Sequence, residues 1–225
     1  MNDITIIYIT ASEVPEKWAE FQRKKLIEVS GAAPIISVSR KPLDFGFNII
    51  DNGKRCTDNI YRQMLRAIKI SKTKYIAVAE DDVLYPPDHF TFYRPADDTF
   101  GYNKNRLLLF TWGDPIYHWR NRLSNCSLIA PRELAIEALE ERFARYPKGT
   151  PERIVGELGR AMVERNQGVT ERKCEEKFSK FSIIHFNHDA ASEGLQRLHK
   201  KTYGPIKAYD IPYWGKAKDL VTKYE

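Results

Sequence analysis

Cysteine is scarce in this chain: the three residues present, Cys56, Cys126 and Cys174, are odd in number, far apart and in no metal-ligand spacing. A disulfide framework is therefore excluded as an organising device, and reduced, buried thiols are expected. Long apolar runs are missing too. The longest, such as ITIIYI, are far too short to cross a bilayer, so no membrane span is expected. The amino terminus, MNDITIIYIT, has no basic opening or small-residue cleavage site and runs straight into a strand pattern, which points to a cytoplasmic location. After that strand stands TASEVPEKW in place of a GxGxxG turn, which disfavours the familiar mode of dinucleotide binding, and the absence of any GxxxxGKS/T loop disfavours P-loop phosphate chemistry. No internal repeat, low-complexity tract or linker divides the 225 residues, so one domain is expected, with halves at 1–90 and 91–225.

What the chain does contain is enough apolar and aromatic sequence for a sizeable core, 42% and 12% of residues, together with a net charge of +6. The cations gather at RKK (23–25), RLHKKTYGPIK (197–207) and WGKAKDLVTKY (214–224), the last two mixed with aromatics. That composition suits a surface that tracks phosphates and stacks on bases, and equally a solvated lysine-rich face.

The first half alternates. ITIIYIT reads as a central strand, followed by a helix with Ser12 as its cap, Trp18, Phe21 and Leu26 at helical spacing, and a stop at Gly31. PIISVSRKP is a second strand, TDNIYRQMLRAIKISK a second helix capped by Thr57 or Asp58, and YIAVAED a third strand. Strand, helix, strand, helix, strand predicts an α/β fold with a mostly parallel sheet and ligand sites at the carboxyl ends of its strands. Beyond it, HFTFYRPADDTFGYNKN reads as irregular segments and turns, and RLLLFTW and NCSLIA as short strands. Pro131 opens a helix through ELAIEALEERFARY, and TPERIVGELGRAMVERNQ reads as a further helix with Thr150 as cap and Pro151 at its first position. FSIIHFNHD is the last strand before a basic tail.

Three adjacent carboxylates, Glu80, Asp81 and Asp82, close the third strand. They repel one another, and a cation at that place relieves the repulsion; an exposed acidic turn is the alternative. A divalent ion held by one or two such carboxylates, with diphosphate oxygens and water completing its shell, is how a protein neutralises a nucleotide diphosphate.

YIAVAEDDVLYPPDHF resembles the Asp-x-Asp motif region of GT-A glycosyltransferases, in the form found in small bacterial and bacteriophage members. NIYRQMLRAIKISKTKY, DHFTFYRPADDTFGYNKN, IIHFNHD and IPYWG resemble other segments of that group, so the likeness covers most of the chain. It implies a GT-A fold, Rossmann-like with a mostly parallel mixed sheet flanked by helices, a UDP-sugar donor and Mn²⁺ or Mg²⁺. Carried over by residue, it implies Asp82 on the metal, Glu80 and Asp81 beside the donor, and a late histidine completing the metal site, His188 by first choice and His185 as competitor. The donor then lies over Thr10, Ala11, Ser12 and Arg40, with Arg62 able to serve the diphosphate. An inverting reaction needs a general base, for which Glu157 and Asp114 are the candidates, and Trp112, Tyr117 and Trp119 could stack on an acceptor. Related phage enzymes modify hydroxymethyl pyrimidines in DNA, so double-stranded DNA gripped by Lys200 and Lys201 is the favoured acceptor, placing the protein in a host cytoplasm if phage-encoded. The alternatives are a cell-surface glycan or lipid-linked saccharide as acceptor, nucleotidyl transfer, or a non-catalytic nucleotide-sugar-binding module.

Overall fold

Six consecutive apolar or β-branched residues without a polar face can only be satisfied by burial on both sides, and the first strand, β1 (Ile4–Ile9), is buried throughout. The computed structural model describes residues 3–111, 117–119, 121–188 and 209–224. In it β1 lies between β2 (Ile35–Ser39) and β4 (Tyr75–Glu80), parallel to both. The sheet continues through β3 (Phe47–Ile50) on one side and through β9 (Leu128–Pro131), β6 (Thr99–Asn103) and β10 (Lys173–Lys177) on the other. Its seven strands run in the order β10-β6-β9-β4-β1-β2-β3, with β9 alone antiparallel to its neighbours. The expected fold class, a mostly parallel mixed α/β sheet flanked by helices, is what the chain adopts.

The two-residue period of the strands divides the side chains between two cores. Ile4, Ile6 and Tyr8, with Tyr75 and Ala77, pack toward Leu26 of α1 (Glu16–Ser30). Ile7, Ile9, Ile76 and Val78 pack toward Met64 and Ile68 of α2 (Thr57–Ile70) and Leu139 of α3 (Arg132–Arg145). Each fully buried Ile or Leu contributes roughly 1.5–3 kcal/mol, so the acids at the end of β4 stand on a firmly held pair of buried strands. A second sheet, in the order β5 (Val83–Leu84), β11 (Ile183–Asn187), β7 (Arg106–Phe110), β8 (Tyr117–Trp119), packs on Trp18 together with the last helix, α5 (Ala217–Tyr224). A short hairpin, β12 (Asp210–Ile211) and β13 (Gly215–Lys216), precedes that helix. Among the described residues no helix is long and apolar enough to cross a membrane.

Several expected elements differ. The first helix begins at Glu16 behind Pro15; Ser12 is not its cap but sits at φ 57 and donates its N–H to Thr10 Oγ1. Cys56 is the cap residue of α2, and Thr57 and Asp58 already lie in its first turn, with Thr57 bonded to Glu152. The expected helix from Thr150 exists only as α4 (Ala161–Gln167). Gly159 breaks it at φ +72, where the backbone passes so close to the sheet that a Cβ would lie 2.7 Å from Phe100 and 3.1 Å from the Lys173 carbonyl. Within the stretch expected to be irregular, Thr99–Asn103 is a fully buried strand. Of the thiols, all free, only Cys126 is buried.

Candidate functional site

The main chain leaves β4 at Glu80, turns through Asp81 and Asp82, and enters β5, which pairs with β11 in antiparallel register, His185 opposite Val83. The Phe186 N–H donates to the Asp82 carbonyl at 2.8 Å, so the turn that carries the acids is fastened to the strand that carries the histidines. Trp18 and Gln22 of α1 fix the same turn from the other side. The indole Nε1–H donates to the Asp81 carbonyl at 2.8 Å, and the Gln22 amide to the carbonyls of Val83 at 2.9 Å and Glu80 at 3.2 Å. Burying the backbone of an acidic turn requires such donors, because an unmet carbonyl in the interior costs about as much as a lost hydrogen bond.

The three carboxylates face three different environments. Asp82 is buried, and its Oδ2 stands 3.1 Å from His185 Nε2 and 3.7 Å from His188 Nε2. Burial raises its pKa, but His185 and then His188 outweigh that and hold the carboxyl below its usual range. Its Oδ1 is buried with no hydrogen-bond partner. Asp81 accepts the Thr10 hydroxyl, and burial, reinforced by the charge of Asp82, raises it to about 7. Glu80 is pushed well above the carboxylate range, first by burial and then by Cys126 and Asp82. Glu80, Asp82 and His185 each bring one possible ligand atom within 4.8 Å of the others. An orphaned carboxylate oxygen beside a second carboxyl and an imidazole is a donor set of oxygen and nitrogen that fits a divalent cation.

These groups form the floor of an open cleft of about 890 Å³ at the carboxyl ends of β1, β2 and β4. Its walls are cationic: Arg40, Lys54, Arg55, Arg106 and Arg122 all line it. Arg40 is held by the Gly53 carbonyl at 2.7 Å and by Asp51 at 3.7 Å, and Arg55 pairs with Glu13. Ala11 offers the close approach that a small residue allows, and Thr10 is buried, binding Asp81 and the Ser12 amide.

Other residues named from the sequence lie elsewhere. Arg62 does not line the cleft: it is bonded to Asp58 at 2.7 Å and the Tyr146 carbonyl at 3.0 Å, with its guanidinium 4.1 Å from the Phe143 ring centre. Glu157 is buried in the irregular segment ahead of α4, its two oxygens 3.5 Å from Arg122 and 3.2 Å from Arg160. Tyr117 and Trp119 pack within β8 against the core around Trp18, and Trp119 donates to the Lys104 carbonyl at 3.1 Å. Trp112, Asp114, Lys200 and Lys201 lie outside the described residues. Conversely, Lys54, Arg55, Arg106 and Arg122 were not anticipated. The first two follow β3, and reading FNII as a strand would have placed NGKR at a strand's carboxyl end.

No protein-family model and no curated protein matches the chain. Solved structures with a similar arrangement include a nucleotidyl transferase from Methanothermobacter, at 12% identity over 62% of this chain and 76% of that one, TM-score 0.41. A Drosophila β1,4-galactosyltransferase 7 in complex with manganese, UDP-Gal and xylobiose is similar over 84% of this chain and 73% of its own, at 14% identity and TM-score 0.45. A glycosyltransferase involved in glycosylating the major capsid of PBCV-1 is similar over 80% of this chain and 92% of its own, at 10% identity and TM-score 0.48. Likeness at this level concerns the course of the chain, and the chemistry rests on the residues in the cleft.

Proposed function

We propose that this protein is a metal-dependent glycosyltransferase that moves a sugar from a UDP-sugar to a hydroxyl acceptor. The observation that carries the reading is Asp82 Oδ1, a buried carboxylate oxygen without a partner, at the floor of a cleft walled by arginine and lysine. A cation satisfies that oxygen, and a cleft of about 890 Å³ with cationic walls fits a nucleoside diphosphate and its sugar. Mn²⁺ or Mg²⁺ would be held by Asp82 with Glu80 and one of the two histidines, and when bound it neutralises the departing diphosphate. Arg40, Lys54 and Arg55 supply the wall to which phosphate oxygens bind. Thr10 fixes Asp81 beside the sugar.

The acceptor hydroxyl must lose a proton if the anomeric centre inverts. Both oxygens of Glu157 are engaged by arginines, an arrangement that suits holding Arg122 in the cleft wall more than taking up a proton. The base role therefore passes to Asp114. For the acceptor, 5-hydroxymethyl pyrimidine in double-stranded DNA is supported by the exposed Lys216, Lys218 and Lys223, which share the carboxyl-terminal segment with the exposed Tyr209 and Tyr213.

The test is incubation with UDP-sugars and Mn²⁺, reading UDP release and the mass of duplex DNA carrying 5-hydroxymethylcytosine or 5-hydroxymethyluracil against unmodified DNA. A hexose-sized gain on modified DNA alone is the expected result. UDP release with no gain on either DNA moves the acceptor to a glycan or lipid-linked saccharide, whereas formation of a UDP-sugar with release of pyrophosphate from UTP and a sugar 1-phosphate, in a parallel incubation, would replace sugar transfer by nucleotidyl transfer. Asp114→Asn is expected to lower transfer by roughly two to four orders of magnitude with donor binding unchanged.

A further inference from the structure

The hydrogen bonds around His185 decide which histidine can hold a cation. Arg106 is buried, 3% exposed, and its Nη1 lies 2.9 Å from His185 Nδ1. A guanidinium has only donors and keeps its proton in proteins, so the atom facing it must present a lone pair. The Cys126 thiol, 3.8 Å from Nδ1, donates to Ser124 Oγ at 3.3 Å, so the guanidinium is the group that sets the polarity of Nδ1. With the lone pair on Nδ1, the ring proton sits on Nε2, 3.1 Å from Asp82 Oδ2, and donates to that oxygen. A metal on Nε2 would need the opposite tautomer and would set an Nδ1–H against the N–H of Arg106.

We propose that Arg106 and His185 are positioning residues: Arg106 locks His185 as the Nε2–H tautomer, His185 holds Asp82 by Oδ2 so that Oδ1 faces the cation, and the imidazole ligand is His188. This deepens the metal-dependent reading above and rests on it for the cation. The chain of donors is built into the fold. Arg106 and His185 lie on the neighbouring parallel strands β7 and β11, two register positions apart, and a further Arg106 nitrogen, Nη2, donates to the Arg122 carbonyl at 3.2 Å. His188 follows β11 directly, and its Nε2 lies 3.7 Å from Asp82 Oδ2.

Two measurements test it, neither of which uses sugar transfer. In the first, the ring nitrogens of ¹⁵N-histidine-labelled, metal-free protein are read by NMR, with His185→Gln identifying the His185 signals. A protonated Nε2 and an unprotonated Nδ1 are expected; a protonated Nδ1 on His185 overturns the proposal. In the second, Mn²⁺ affinity is measured directly for each variant. The glutamine side chain can accept from Arg106 through Oε1 and donate to Asp82 through Nε2, the polarity of the locked imidazole. His185→Gln is therefore expected within about threefold of wild type, while His185→Ala loses about 10–100-fold, the range for a lost partner of a metal ligand. His188→Gln is expected to lose more than either. If His185→Gln falls as far as His185→Ala, or His188→Gln binds like wild type, the assignment is overturned. Should wild type bind neither Mn²⁺ nor Mg²⁺, the functional reading fails and the cation part of this proposal with it, while the tautomer spectrum alone judges the lock of Arg106 on His185.

Discussion

Asp82 meets two opposed demands: it is buried among other acids, and it must stay ionised to be of use to a cation. Replacing its charge while keeping its shape separates them. In Asp82→Asn the side-chain oxygen can still accept from His185, but the negative charge that the two histidines hold ionised is lost, so the metal-free protein is expected to be less stable than wild type at neutral pH, relief of the repulsion with Glu80 and Asp81 offsetting part of the loss. Wild type should gain about 2.7 kcal/mol at a Mn²⁺ concentration 100 times its Kd, which for a chain of this size raises Tm by roughly 5–11 °C, and Asp82→Asn should gain almost none of it. Thermal unfolding with and without Mn²⁺ reads both effects; an equal rise in the two proteins would take Asp82 out of the metal site. The three acids and the two histidines were legible in the sequence because each set is contiguous or nearly so. Arg106 was not, since it meets His185 across 79 residues of chain, and nothing in RLLLF distinguishes an arginine that ends in a site from one that begins a strand in solvent.

At the scale of elements, α2 is set on the sheet by a carboxylate that belongs to neither its core face nor the cleft floor. Asp51 follows β3, is 3% exposed, and accepts from Asn59 at 2.7 Å and Gln63 at 2.6 Å and from Arg66, all on α2. Burial raises its pKa, but those donors more than offset it and hold it below the 3.8 of a free aspartate. A depressed folded pKa means that its stabilisation is complete above about pH 4 and is lost as the pH falls through the folded value. Asp51→Asn should therefore cost roughly 1–3 kcal/mol at neutral pH, by setting an amide against donors, and should flatten the loss of stability below pH 4. Urea unfolding at a series of pH values checks it, and an unchanged acid limb would show that Asp51 is no clip. The same scale explains which elements the sequence concealed. The buried strand β6 contains Gly101 and Asn103 and is a strand because it lies between β9 and β10, and β10, which reads KCEEK, is a strand because β6 lies beside it in parallel register. The central strands needed no partner to be recognised, being apolar on both faces.

Over the whole molecule, the acids stand inside a cleft of mixed sign while the net charge of +6 is carried outside it, and the two serve different partners in the proposed reaction. If Lys200, Lys201, Lys207, Lys216 and Lys218 follow a phosphate backbone, DNA binding must release counterions, and log K should fall with log salt by about 0.7–0.9 for each phosphate neutralised. Lys216, which ends β13, and Lys218, in the first turn of α5, are exposed and do not line the cleft. Replacing both by alanine should reduce the salt slope by about one to two units and weaken binding to any DNA sequence alike, because phosphate contacts carry no base information. Hydrolysis of the UDP-sugar should be untouched, since the proposed donor site lies among Arg40, Lys54 and Arg55, away from these lysines. The two readouts separate the partners. A lower slope with donor hydrolysis intact assigns the basic segment to DNA, whereas an unchanged slope leaves those lysines as a solvated face and moves the acceptor to a neutral saccharide, whose binding salt would barely affect.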